Sequence, residues 1–192
     1  MVSRETLITR FFPNKEEEIL RYAQFLTSAG IERGLIGPAE ADRIWERHIF
    51  NSLPVISLIS EGASLFDIGS GAGLPGIPIA LARPDLTVTL IEPLQRRVDF
   101  LREAVADLDI AVRHGRAQDF REKADYVTAR AVAPFERLKA MSWQLVKVGG
   151  SLLAVKGENA AQEILNAKGA HLHEIELDGL PLGRVISLQK TG

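Results

Sequence analysis

The chain has 192 residues, 46% hydrophobic and 25% charged, with a formal net charge of −2 and no cysteine. That is enough for one substantial core with an appendage. It excludes disulfides, thiolate metal sites and a cysteine nucleophile, argues against a strongly basic dedicated nucleic-acid binder, and contains no apolar run long enough for a membrane span. Arg4, Glu5 and Arg10 interrupt the first dozen residues, so these do not form the apolar core of a signal peptide.

Asn14 followed by Glu17 reads as a helix N-cap, and Gly30 as that helix's stop. Ile19, Tyr22, Ala23 and Leu26 fall on one face of it. A second helix is expected from Pro38, with Ala41, Ile44, Trp45, His48 and Ile49 as its apolar stripe and Pro54 limiting its extension. From residue 63 the pattern becomes strand and helix in alternation, with strands over 65–68, 87–91, 110–113, 126–131 and 152–155. Such alternation predicts a parallel sheet with helices on both faces. Two further strands, 172–177 and 184–188, flank the turn residues Asp178, Gly179 and Gly183 and predict a closing antiparallel hairpin. Residues 1–60 are therefore expected to be a helical extension packed on a core of 61–192, one compact unit in all.

The stretch Asp67-Ile68-Gly69-Ser70-Gly71-Ala72-Gly73-Leu74-Pro75-Gly76 joins the first strand to the next helix. A glycine-rich turn there lets backbone N–H groups approach a ligand closely. The next strand ends in Glu92, where a carboxylate can accept hydrogen bonds from both ribose hydroxyls. Together these point to an adenosine-bearing cofactor. Ile77 follows Gly76 where a P-loop needs lysine, and the spacing departs from the dinucleotide Gly-x-Gly-x-x-Gly. The acid-x-Gly-x-Gly-x-Gly form resembles motif I of S-adenosylmethionine-dependent methyltransferases, in which Asp67 could help hold the cationic methionine end. The other readings are a turn whose glycines serve geometry alone, a methyltransferase acting on a different RNA site or a small molecule, a non-catalytic module that binds S-adenosylmethionine or RNA, and a nicotinamide-dependent oxidoreductase.

The carboxyl ends of the strands should gather Gly69 to Leu74, Glu92, Ala117, Gln118 and Arg130 around one crevice. Ala117 and Gln118 follow the third strand, where adenine contacts belong. Arg130 stands late in an apolar strand, a costly place for a charge unless it emerges or is paired, for instance with Asp67. His48 invites a general-base assignment, although a satisfied helix histidine beside Trp45 is the commoner case. Trp45 and Trp143 read as packing residues. From 130 to 156 the cations Arg130, Arg137, Lys139, Lys147 and Lys156 face Glu136 alone, either a solvated basic face or an RNA-facing patch. No cysteine closes the covalent route to pyrimidine methylation, and no Pro-Pro pair supplies the motif of exocyclic-amine methylation. A target whose lone pair is already nucleophilic, such as N7 of guanine, fits best.

Residues 66–78, together with Arg83-Pro84, Arg96-Arg97-Val98-Asp99-Phe100-Leu101, Arg130-Ala131-Val132-Ala133-Pro134, Lys156-Gly157 and Trp45-Glu46-Arg47-His48, resemble the bacterial small-subunit ribosomal RNA guanine-N7 methyltransferases, called RsmG or GidB. The resemblance implies an α/β, class I S-adenosylmethionine-dependent methyltransferase (Rossmann-like), with a mostly parallel seven-stranded sheet, an antiparallel edge strand and an N-terminal helical extension. It implies S-adenosyl-L-methionine as cofactor, with contacts at Gly69, Leu74, Ala117, Gln118 and Arg130 and with Glu92 in the usual ribose position; the loop reading adds Asp67 and Gly71, and no metal is expected. The family commonly has an acid where Gln118 stands, so a backbone contact is expected there. Arg130 is the expected catalytic positioning residue, with no covalent nucleophile, and Arg137, Lys139 and Lys156 are expected RNA contacts. The implied partner is 16S rRNA, alone or within the assembled 30S subunit, methylated at a guanine in the decoding-region loop, rRNA position 527. A monomeric cytoplasmic enzyme is the corresponding expectation.

Overall fold

The computed structural model describes residues 2–165 and 167–192. Seven strands, β1 (Ser64–Ile68), β2 (Thr87–Glu92), β3 (Ala111–His114), β4 (Ala124–Arg130), β5 (Val146–Lys156), β6 (His171–Ile175) and β7 (Gly183–Gln189), form one sheet in the order β3-β2-β1-β4-β5-β7-β6. The first five run parallel to one another, and β7 runs antiparallel to both β5 and β6. The expected antiparallel hairpin therefore forms at one edge of the sheet, with β6 outermost. β7 is inserted between β5 and β6, where Val185, Ile186 and Leu188 are buried.

Alternation along the strands divides the core into two layers. Leu65, Leu90, Leu153 and Val185 point to one side, joining α3 (Gly76–Ala82), α4 (Gln95–Ala104) and the segment before β1. Phe66, Ile91, Leu152 and Ile186 point to the other, joining α5 (Phe135–Ser142) and α6 (Ala160–Ile164). Helices on both faces are why β1 and β2 read as near-continuous apolar runs.

The N-terminal segment departs from expectation in its details. A short helix over Arg4–Phe11, capped by the Ser3 hydroxyl on the Thr6 N–H, has too few apolar residues to stand out in sequence, yet buries Leu7 and Ile8. The next helix, Glu16–Phe25, starts after Lys15 with no side-chain cap, and Asn14 instead holds a left-handed φ of 61° in the turn before it. Gly30 does not end it. The backbone widens into a π turn over Leu26–Gly30 and continues helically, with the glycine beside Phe100 of α4, which stacks on Phe25 at 4.7 Å. Residues 38–58 are a run of tight 3₁₀ turns around a π turn, Trp45–Ile49, in place of the expected α-helix. Among the described residues no helix is long and apolar enough to cross a membrane.

Candidate active site: two clefts that meet at Arg130

Chain order reverses at β1, whose neighbours β2 and β4 lead away in opposite directions, so a crevice opens at the carboxyl ends of these strands. In register, Asp67 of β1 faces Thr128 of β4, so Arg130 emerges level with Gly69. Gly69 and Ser70 N–H groups donate to the Ile91 carbonyl at 2.8 and 3.3 Å, tying the loop to β2. The turn needs glycine: Gly69, Gly71 and Gly73 have φ of 66°, 59° and 98°. At Gly71 a Cβ would meet only the Gly69 carbonyl, at 3.8 Å, so this side of the loop is open to a ligand.

Asp67 is fully buried and does not line the cleft. Its Oδ2 accepts the Gly76 N–H at 3.1 Å, while Oδ1 has no partner among the described residues. Burial pushes its carboxyl up to about 7, against the hydrogen bonds and the Arg130 charge that pull it down. The expected contact with a cofactor's cationic end is thus corrected: Asp67 braces the loop from behind, and it is not ion-paired with Arg130. Glu92 does reach the site. Its two oxygens accept the Gly71 and Leu94 N–H groups at 2.9 and 3.0 Å, and a carboxylate with about four acceptor positions keeps two for ribose hydroxyls.

Around the loop lies a cleft of about 540 Å³, lined by Gly69, Gly71, Leu74, Glu92 and Arg130 as expected and also by Leu35, Ile36, His48, Leu94 and Arg97. An apolar wall, a buried carboxylate and a cation suit the adenine, ribose diol and amino-acid carboxylate of S-adenosylmethionine. Ala117 and Gln118 form a short 3₁₀ turn on the neighbouring loop, outside this lining: Ala117 is buried and Gln118 is exposed, its carbonyl taken by Arg121. Tyr22 is a contributor that the sequence read only as an apolar stripe residue. Its buried hydroxyl donates to the Ala72 carbonyl at 2.8 Å, so the N-terminal helix grips the glycine loop directly. A tyrosine on a buried face needs such a partner, which was the available signal. Arg97, one turn into α4, places a guanidinium nitrogen 3.9 Å from Glu92.

Arg130 opens a second, wider groove of about 1120 Å³. Its walls come from Glu46 to Asn51, the loop Ala131–Pro134, the turn 157–159 and the 181–184 end of the hairpin. His48, Arg130, Ala131 and Val132 line both clefts. Ala131 holds a φ of 55°, a strained conformation for a residue with a Cβ, at the point where the clefts join. Arg130 donates to His48 Nδ1 at 3.0 Å and to the Arg47 and His48 carbonyls at 3.4 Å, the His48 carbonyl also accepting the Ser52 hydroxyl at 2.6 Å.

Part of the basic segment is committed to contacts within the protein. Lys147 pairs with Asp125, and Lys156, only 9% exposed along its side chain, pairs with Glu163 at 2.8 Å and donates to the Ala133 carbonyl. This corrects the expectation of a free RNA-facing cation at Lys156: it anchors the Ala131–Pro134 loop. Arg137 and Lys139 lie on α5 and line neither cleft. Trp45 is buried against Phe50, and Trp143 packs against the second core layer.

The family model for rRNA small subunit methyltransferase G matches residues 15–178. The chain belongs to this family. It is 47% identical over 180 residues to Ribosomal RNA small subunit methyltransferase G of Kineococcus radiotolerans, and 55% over 151 residues to that of Mycolicibacterium gilvum. These alignments cover 91% and 75% of this chain and 70% and 66%, about two thirds, of the relatives. Among solved structures it is similar in fold to a ribosomal protein L11 methylase from Lactobacillus delbrueckii subsp. bulgaricus (TM-score 0.55, 16% identity, 73% of this chain and 77% of that one). It is also similar to a precorrin-6y C5,15-methyltransferase from Geobacter metallireducens (0.52, 14%, 82% and 91%). The sheet and these neighbours give the class I, Rossmann-like methyltransferase fold. Within the family signature, Arg83 acts as a clamp: it donates to the Ile59 and Ser60 carbonyls and pairs with Asp85, fastening α3 to the segment before β1.

Proposed function

We propose that this chain transfers a methyl group from S-adenosylmethionine to N7 of a guanine in 16S rRNA, in the decoding-region loop of the small subunit. The observation that carries this is the junction itself: a cofactor-sized cleft and a wider open groove share Arg130, His48, Ala131 and Val132. The relatives named for small-subunit rRNA methylation support the substrate class. When bound, S-adenosylmethionine supplies an electrophilic sulfonium methyl group that the N7 lone pair can take directly. The protein then needs neither a nucleophile nor a base, and its work is orientation and water exclusion. Glu92 holds the ribose hydroxyls, Leu35, Ile36, Leu74 and Leu94 cover the apolar part, and Arg130 receives the amino-acid carboxylate from the side of the groove. Ala117 and Gln118 stand on the neighbouring loop, outside the cleft lining and with both carbonyls already accepting side chains, so what they offer the adenine edge is a backbone N–H.

Methylated guanine is cationic, so Arg130 stays off the base and serves the cofactor or a phosphate. Arg137 and Lys139 contact rRNA from α5, outside the groove. A chain with −2 net charge draws on RNA shape, within an assembled or partly assembled 30S subunit, for much of its recognition. Residues 1–60 act as an extension of the methyltransferase unit, and the protein works as a cytoplasmic monomer. The test combines purified protein, labelled S-adenosylmethionine and small subunits from cells lacking this protein. Label in 7-methylguanosine at one site supports the reading, and label in another nucleoside or in none ends it.

A further inference from the structure

We propose that Glu40 and His48 form a positioning relay for Arg130, and that the relay operates only while His48 is neutral. This rests on the methyl-transfer reading above. Arg130 Nη2 lies 3.0 Å from His48 Nδ1. A guanidinium can only donate, so Nδ1 accepts and the ring proton sits on Nε2. Nε2 is 2.9 Å from Glu40 Oε2 and donates to it. Partners on both sides thus fix one tautomer. Glu40 is fixed in turn by Arg47, which donates to its other oxygen at 2.9 Å. Without the imidazole, Arg130 keeps, among the described residues, two long hydrogen bonds to carbonyls, at 3.4 Å each. The side chain shared by both clefts would then lose its aim.

Protonation of His48 would put an Nδ1–H against the guanidinium, donor facing donor and cation facing cation. The charged groups that act on the ring are Glu40 from the 38–43 turn, Arg47 from its own turn, and Arg130 from β4. Burial holds the imidazole below its usual value; Arg130 and Arg47 push the same way and Glu40 opposes. The relay is therefore intact at neutral pH and above and fails in acid. The Glu40 carboxylate, drawn down by its bond to His48, stays charged through that change.

Ring ¹⁵N NMR of histidine-labelled protein tests the geometry without any substrate, with His48 assigned by its absence in His48→Asn. The expected pattern is a bare Nδ1 and a protonated Nε2 at neutral pH, and an Nδ1–H would overturn the proposal. The second arm is the pH profile of single-turnover methyl transfer with both substrates saturating. Wild type should lose rate on the acid side. His48→Ala should lose roughly 100-fold in rate while binding S-adenosylhomocysteine far less altered. His48→Asn, whose Oδ1 can stand where Nδ1 stood and does not titrate, should recover most of that loss and show no acid limb. An acid limb that persists in His48→Asn, or a folded His48→Ala within about twofold of wild type, sinks the relay. Should His48→Ala fail to fold, the tautomer and the asparagine profile decide. Absence of 7-methylguanosine with wild type at every pH would instead remove the functional reading and leave the tautomer test standing.

Discussion

At the scale of single residues, the site separates carboxylates that face a ligand from one that faces the fold. Glu92 accepts two backbone N–H groups and still lines the cleft, so Glu92→Gln, which keeps the shape, should weaken S-adenosylmethionine binding by roughly 1.5–3 kcal/mol. Calorimetry with a 2′-deoxy analogue checks the partnership, since that analogue should lose little further affinity in the variant. Asp67 has the opposite role. Its folded pKa is raised to about 7 by burial, so between about 4 and about 7 the folded chain keeps a proton that the unfolded chain has released. Stability from this group is full below that window and is lost as pH rises through it, by at most about 4 kcal/mol. His48, lowered by burial, contributes with the opposite sign, so the comparison must be of wild type against Asp67→Asn, whose urea stability should be flatter across the window. The glycine loop, Glu92 and Arg130 were legible in sequence because backbone freedom and a charge at a strand end leave marks in residue type. Asp67's inward turn, Tyr22's grip on Ala72 and Lys156's burial were not, because each depends on a partner that only the folded backbone brings into reach.

At the scale of elements, the β1–α3 junction is as tight as the chain allows. A Cβ on Gly76 would overlap a Leu90 methyl and lie 2.7 Å from the Asp67 carboxylate. Gly76→Ala should therefore cost about 1–3 kcal/mol, read as a lower urea midpoint with an unchanged slope. The same requirement explains why the signature carries a glycine after Pro75 although Gly76 does not line the cleft. The strands and the two helix layers were readable from period-two and period-3.6 patterns, since burial on both faces leaves little choice of residue. The 38–58 segment was not: its apolar stripe fits an α-helix, and only contact with β4 and the core shows the backbone tightening and widening in turn.

At the scale of the molecule, the N-terminal residues are part of the main core. Phe12, Ile19, Leu26, Ile49 and Leu53 are 0% exposed and share a cluster with Leu65, Leu90 and Leu153 of the sheet. A chain beginning at Glu61 should accordingly fail to unfold cooperatively and should bind a hydrophobic dye, and a sharp two-state transition would contradict this. The inserted strand has a consequence for how the protein is made. β5 and β6 both take β7 as their partner, and β7 follows them along the chain. A nascent chain that has already exposed β5, with Leu152 to Val155 along it, carries an open sheet edge until the next hairpin arm emerges. Synthesis that stalls between Ile175 and Gly183 would leave that edge able to pair with another chain. The interval for mispairing thus closes only when β7 slides between two strands that have been waiting for it.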